Sequence, residues 1–390
     1  MLVDRNPAMN THDRLRIAFV VDVCDESKSG GVRSARRFIE ALTRKCDVCV
    51  VTTGRPQPGR VVVPGFYVPL AGHVMRSMDF VFAWPRKKPL AELFRGSDVV
   101  HVQLPFLLGL RSVRIASQVG VPVVGGYHVQ SENLLYNVGL RSERLAGYLN
   151  RFLVSRFYNR CTAVVCPSAF ADSELQRNGL RRPSFIISNG VPPQFKPMAG
   201  RRKPGEQADF VVLMVGRLGR EKRQDLLIQA ALLSKHGTRL RLILVGKGPM
   251  KAQLLRMGRA LPRPPVLLSV SDEELIRLYN NADLFVHASE VELEGLSILE
   301  AMGCGLPALI ADAKASAAKQ FALDERFLFS SNDPRALAAR MDYWIEHPAE
   351  LQAAGQRSLL FVQPYALADC VQQLEDVYRK CVSRHHIHLK

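Results

Sequence analysis

The chain has 390 residues, 53 basic against 36 acidic side chains and a formal net charge of +17 at pH 7. At about 150 residues per domain that length holds two or three domains, and 47% hydrophobic with 23% charged residues excludes a disordered or fibrous chain. No apolar run approaches the roughly 18 residues of a bilayer-spanning helix, and the start carries Asp4, Arg5, Asp13 and Arg14 without an apolar core, so a disordered tail is expected rather than a secretory leader.

In chain order, short apolar, β-branched runs alternate with helix-length segments. Residues 15–23 (LRIAFVVDV), 46–53 (CDVCVVTT), 98–103, 122–128, 163–168 and 184–188 are expected to be buried strands. The amphipathic stretches 32–45, 111–119 and 169–178 lie between them as helices. Cys46 and Cys49 have redox-motif spacing, but they fall in an alternating strand pattern. Eight cysteines without a leader point to reduced thiols and a cytoplasmic setting. Residues 1–191 thus read as one parallel, doubly wound α/β domain. Residues 192–209 (PPQFKPMAGRRKPGEQAD) break the pattern as a Pro- and Gly-rich linker. The alternation restarts over 210–364, with strands at 210–218, 239–248, 265–270, 283–289, 307–311 and 326–330. A final helical stretch, about 333–382, is long enough for the segment 365–390 to pack back on the first domain. The expected fold class is α/β, two Rossmann-like doubly wound domains facing across a cleft, with ligands at the carboxyl ends of both strand sets.

The stretch 289–307, SEVELEGLSILEAMGCGLP, carries the most chemistry. A helix is expected to start near Ser297, so the N–H groups of Gly295, Leu296 and Ser297 form an anion site. Glu292 stands before that loop, where it can accept from sugar hydroxyls, and Glu300 stands in the helix, where it can hold a ribose diol. Two acids alone more often mark an ordinary helix start. The ordered string E-x-x-G-L-x-x-L-E-A-M-x-x-G-x-P is what separates the readings.

This segment resembles the donor-binding motif of the retaining, nucleotide-sugar-dependent glycosyltransferases of family 4. The resemblance extends over SGGVRSARRF (29–38), YHVQSEN (127–133), SNGV (188–191), VGRLGREK (215–222) and VGKGPM (245–250). It implies the GT-B fold, a nucleoside-diphosphate sugar in the C-terminal domain and no required metal or other cofactor. Gly30 and Gly31, which alone suit a tight turn equally well, are then placed against the donor diphosphate or sugar. Arg217 and Lys222, otherwise a solvated basic helix start, fall where the family binds its diphosphate. There, fixed positive charge stabilises the departing group. His128 falls beside the transferred sugar, as an orienting group rather than a general base, with His101 a second candidate. Gly246 and Gly248 fail the dinucleotide fingerprint because Lys251 replaces the third glycine. The resemblance puts that loop near the nucleotide and Val270 in backbone contact with the base. No D-x-D is present to hold a metal on the diphosphate, and the tail His385, His386 and His388 suits a solvated terminus.

The charge is uneven: residues 1–200 hold 27 basic against 14 acidic side chains. Segment 134–160 places Leu145, Tyr148, Leu149, Phe152 and Leu153 among Arg141, Arg144, Arg151, Arg156 and Arg160. Segment 73–95 adds Met75, Met78, Phe80, Phe82 and Trp84 before Arg86, Lys87 and Lys88. Packed helices with solvated arginines are one reading, and a surface for an anionic membrane is the other. The wording of the donor motif and of YHVQSENLLYNVGL is similar to the transferases of diacylglycerol and other lipids. The resulting expectation is a retaining hexosyltransferase using a UDP-sugar and a lipid acceptor, peripheral on the inner face of the cell membrane. The alternatives are a transferase of the same fold building soluble glycosides or polysaccharide, a GT-B epimerase, and a basic nucleic-acid-binding protein. The last would leave the donor motif unexplained, so no nucleic-acid partner is expected.

Overall fold

The computed structural model describes residues 14–23, 25, 30–67, 81–137, 139–140, 142–200 and 208–388. The first half is built on β1 (Arg16–Val23), β2 (Asp47–Thr53), β3 (Arg60–Val62), β6 (Val99–Val102), β7 (Val123–Gly126), β8 (Ala163–Cys166) and β9 (Ser184–Ile186). Between β3 and β6, β4 (Gly65–Phe66) and β5 (Phe82–Ala83) form a separate antiparallel pair. The main sheet is parallel, in the order β3-β2-β1-β6-β7-β8-β9. The second half uses β10 (Phe210–Val215), β11 (Leu240–Val245), β12 (Val266–Leu268), β13 (Leu284–His287), β15 (Ala308–Asp312) and β17 (Leu328–Ser330). These run parallel in the order β12-β11-β10-β13-β15-β17. In both sheets the order reverses beside the first strand, which is where an open α/β sheet leaves a crevice.

The strands are apolar throughout because helices cover both faces. Along β1, Ile17, Phe19 and Val21 pack with Ala35, Phe38 and Leu42 of helix Gly30–Leu42, while Ala18 and Val20 pack with Leu90, Phe94, Leu108 and Val113 on the other face. Helix Leu367–His388 lays Cys370, Val371, Leu374, Val377, Tyr378 and Cys381 into the first half's core. Those positions recur at helical spacing. Tyr378 Oη lies 2.9 Å from His101 Nδ1, so this candidate histidine is packed under the C-terminal helix.

The chain therefore crosses between the halves twice, and the crossings pair. The Val191 N–H donates to the Tyr365 carbonyl at 2.7 Å, and the Leu367 N–H to the Val191 carbonyl at 3.0 Å. Gly190 sits at φ +73, and a Cβ there would lie 2.7 Å from Leu367 Cα, so only glycine fits this contact.

Some boundaries differ from the sequence pattern. The stretch 333–382 divides into helices Pro334–Glu346, Pro348–Phe361 and Leu367–His388, with breaks at Pro348 and Pro364, since proline denies the helix an N–H. Segment 134–160 divides into Ser131–Asn137 and Glu143–Arg156, the second capped by Ser142. Cys46 precedes β2 and only Cys49 lies within it; burial pushes both thiols up, Cys46 to about 11, and both are unbridged. Met75, Met78, Phe80 and Arg141 lie outside the described residues. No described helix is long and apolar enough to cross a membrane.

Candidate active site

The site lies where β10 and β13 end. After β13 the chain enters β14 (Val291–Glu292), which pairs with β16 (Ala315–Ser316) and so fixes the Glu292 backbone. Gly295 follows at φ +107, a left-handed turn that a larger residue resists, and helix Leu296–Gly303 begins. The first-turn N–H groups of that helix, Leu296 and Ser297 included, lie ahead of its intrahelical ladder and can receive an anion.

Glu292 forms an ion pair with Lys222, and His287 Nε2 lies 3.6 Å from the same carboxylate oxygen. Burial pulls the Lys222 ammonium down, but Glu292 outweighs it and the net shift is upward. Burial raises the Glu292 carboxyl, Lys222 and His287 lower it, and it ends below its usual range. Burial holds His287 neutral, down to about 4. Lys222 ends the short 3-10 turn Arg220–Lys222. Arg217 stands at the head of that turn, 3.9 Å from Glu221, with its carbonyl accepting from Gln224 Nε2 at 2.8 Å. Arg223 follows at φ +56, and its guanidinium reaches Glu290 at 2.5 Å and Asp225 at 3.2 Å. A left-handed non-glycine residue is strained, and here two ion pairs hold it.

The first half faces this loop with the start of helix Gly30–Leu42 and with His128, just beyond β7. A Cβ on Gly31 would come within 3.6 Å of His128 Cβ, so the two predicted residues are neighbours. Burial pushes the His128 imidazole down to about 3, with His101 adding to the shift, so it is neutral. The halves meet directly. Tyr136 Oη donates to Glu290 at 2.8 Å, Gln130 Nε2 to the Ala315 carbonyl at 2.9 Å, and Ser168 Oγ to the Leu293 carbonyl at 2.5 Å.

Glu292, Lys222, Arg217, Gly295, Leu296 and Ser297 converge on one loop cluster, with Gly30, Gly31 and His128 brought to it by the other half. Three other candidate positions have partners or packing of their own. Glu300 is 2% exposed rather than open, with Arg37 Nη2 at 2.8 Å and Tyr279 Oη at 3.2 Å from its carboxylate. Helix Gly30–Leu42 lies against it because the two halves are closed together. Gly246 and Gly248 have a packing reason of their own: a Cβ at Gly246 would lie 1.9 Å from the Gly216 carbonyl oxygen, and one at Gly248 2.3 Å from that of Leu218. Val270 is half-buried just ahead of the Ser271 capping box of helix Asp272–Asn281. Sequence reasoning missed His287, Arg37 and Glu294; for His287, a strand-end position was the available signal. Among the described residues no His, Cys, Asp and Glu cluster is arranged to hold a metal.

Two family models match adjacent parts of the chain. "Glycosyltransferase Family 4" covers residues 28–195, and "Glycosyl transferases group 1" covers residues 199–358. The alpha-monoglucosyldiacylglycerol synthase of Streptococcus pneumoniae is 26% identical over 54% of this chain and 51% of its own length, so the match spans about half of that relative. A GDP-mannose-dependent alpha-mannosyltransferase of Mycobacterium tuberculosis is 28% identical over 77% of this chain and 79% of its own length. The crystal structure of Anabaena HepE in complex with UDP and glucose superposes with a TM-score of 0.72, at 17% identity, over 93% of this chain and 99% of that one, and shares the fold. With two parallel-sheet halves closed on the predicted motif, this chain belongs to the family 4 glycosyltransferases of the GT-B fold.

Proposed function

We propose that the protein is a retaining hexosyltransferase that moves a sugar from UDP to a hydroxyl of a lipid acceptor at an anionic membrane surface. The observation that carries the donor half is the half-buried Lys222–Glu292 pair set before the helix N-terminus at Gly295. Together with Arg217, Lys222 neutralises the diphosphate as it departs, a fixed stabilisation that needs no reorganisation and no metal. Glu292, held ionised by Lys222, accepts hydrogen bonds from donor hydroxyls. Glu300 receives the ribose when Arg37, which covers it in the closed form, turns aside. Neutral His128 donates or accepts beside the sugar without carrying charge. The bond from the sugar's anomeric carbon to the diphosphate breaks as the acceptor oxygen bonds to the same face, and the departing diphosphate takes the acceptor proton.

The lipid half rests on the outer face of helix Glu143–Arg156. Leu145, Tyr148 and Phe152 are 41%, 65% and 46% exposed there, at helical spacing beside Arg144 and Arg151. Leu153 faces the core and Leu149 packs against it, so the apolar residues of the segment divide between two surfaces. Phe66, Tyr67 and Trp84 are also exposed, with Arg111 stacked 4.4 Å over Trp84. An apolar row flanked by arginines suits the interface of an anionic bilayer. A lipid-acting relative agrees with this reading, and a GDP-mannose-dependent one supports a second donor reading.

The test is turnover of UDP-glucose, UDP-galactose and GDP-mannose with diacylglycerol in anionic or zwitterionic liposomes. UDP-sugar turnover that requires anionic liposomes, giving a product whose anomeric configuration by NMR matches the donor, is the expected result. An inverted anomer overturns retention. Turnover on water-soluble acceptors alone overturns the lipid acceptor, and GDP-mannose as the sole donor overturns the nucleotide.

A further inference from the structure

Glu294 lies between Glu292 and the left-handed Gly295 and has no part in the donor chemistry above. It is 3% exposed. Its carboxylate accepts from Ser188 Oγ at 2.5 Å, from the Asn189 N–H at 3.1 Å and from Asn189 Nδ2 at 2.5 Å. Asn189 Oδ1 in turn accepts from Ser34 Oγ. Ser34 is one turn into helix Gly30–Leu42, and Ser188 and Asn189 open the first crossing between the halves. One turn further along the same helix, Arg37 holds Glu300. Three segments distant in sequence are thus joined through one carboxylate: the first helix of one half, the crossing, and the donor loop of the other.

We propose that Glu294 is a positioning residue that fastens the donor loop to the interdomain crossing and so sets the closed geometry in which Gly30, Gly31 and His128 face the donor. The proposal rests on the donor-site reading of the Glu292–Glu300 loop. A carboxylate is a costly way to fill space in a protein interior, where an apolar side chain of similar size packs without desolvating a charge. No cation lies among its hydrogen-bond partners, all of which donate from the crossing. Burial pushes Glu294 up to about 7, the hydrogen bonds oppose that, and Glu292 adds to it. The other titratable groups facing it are Tyr365 and Cys370, on the second crossing and the helix after it, both themselves pushed up by burial. The ionised form accepts from every donor around it. A neutral amide must turn an N–H toward a donor, which loosens the join without changing the size of the side chain.

The experiment uses the full chain with whichever of UDP-glucose or GDP-mannose the wild type hydrolyses. Glu294→Gln and Asn189→Ala are each expected to lower kcat about tenfold or more, the scale of a small misplacement at a reacting centre. Free nucleotide affinity is expected to change less than kcat, because most of the proposed nucleotide contacts, Arg217, Lys222 and the helix start at Gly295, belong to the second half. The double variant should lose no more than either single one, since both cut the same join. Ser188→Ala, which removes one hydroxyl and keeps the charge, gives a smaller loss in the same direction. The pH profile of wild-type kcat should carry a limb near pH 7 that is absent from Glu294→Gln. Wild-type kcat in the single variants, additive losses in the double, or losses that track only a fall in melting temperature overturn the proposal. Lys222→Ala runs alongside: unchanged nucleotide affinity there refutes the donor-site reading itself, separately from any result at Glu294.

Discussion

Lys222 and Glu292 are each about one-fifth exposed, and each supplies the other's counter-charge. On the proposed donor site, Lys222→Ala removes a diphosphate contact and leaves the half-buried Glu292 carboxylate without its ammonium partner. The expected loss of nucleotide-sugar affinity is about 10- to 100-fold by calorimetry, with the fold intact by circular dichroism. Glu300→Ala is expected to weaken donor binding too, and wild-type affinity in either variant would contradict the site. At Glu294 the titration has a definite sign. Its folded value of about 7 lies above the ordinary 4.5, so the stability it confers is complete below pH 4.5 and is lost as pH rises through 7. The shift is worth on the order of 3 kcal/mol. Urea titrations at pH 5 and pH 8 should therefore show wild type losing more stability on going alkaline than Glu294→Gln does. Buried Asp22, also raised to about 7 by burial, adds a similar slope to both proteins and cancels in the comparison.

At the scale of elements, the two crossings decide how the halves stand. Val191 pairs with Ala366 only because Gly190 turns the chain at φ +73 against Leu367. Gly190→Ala adds left-handed strain of about 1–2 kcal/mol and a steric clash, so a destabilisation of at least about 2 kcal/mol is expected in urea unfolding. Helix Glu143–Arg156 makes the opposite kind of prediction. Tyr148 and Phe152 point outward while Ala146, Leu153 and Val154 hold the helix to the core. Tyr148→Ser and Phe152→Ser should leave unfolding unchanged and weaken sedimentation with anionic vesicles about tenfold each. Vesicle binding equal to wild type in both would remove this helix from the membrane reading.

Over the whole molecule, the proposed function divides the +17 charge in two. In the second half the bases that matter most are neutralised in place, Lys222 by Glu292 and Arg223 by Glu290 and Asp225. The excess of the first half lies on its surface, where salt screens it within about 10 Å at 0.1 M. Binding to anionic vesicles should thus fall steeply with added salt, while nucleotide affinity at the half-buried pair changes less. An equal salt dependence of both, measured by sedimentation and calorimetry on one preparation, would argue against this division.

The sequence by itself determined the fold and the membership of the donor loop. Near-continuous Val, Ile and Leu runs separated by helix-length segments leave no arrangement but parallel sheets covered on both faces. The string from Glu292 to Gly305 announces a helix start near Ser297, and the short strand and left-handed glycine before it came from the structure. Lys222, Glu292 and Gly295 were legible through the motifs shared with family 4, since their local pattern alone also suits an ordinary helix start. Tertiary structure alone decided what Glu300 and Glu294 touch. Arg37 is 263 positions from Glu300 and Asn189 is 105 from Glu294, and nothing in their local sequence announces either partner. Burial of a charge is tolerable only when a distant segment brings the compensating group, and the closure of the two halves supplies it.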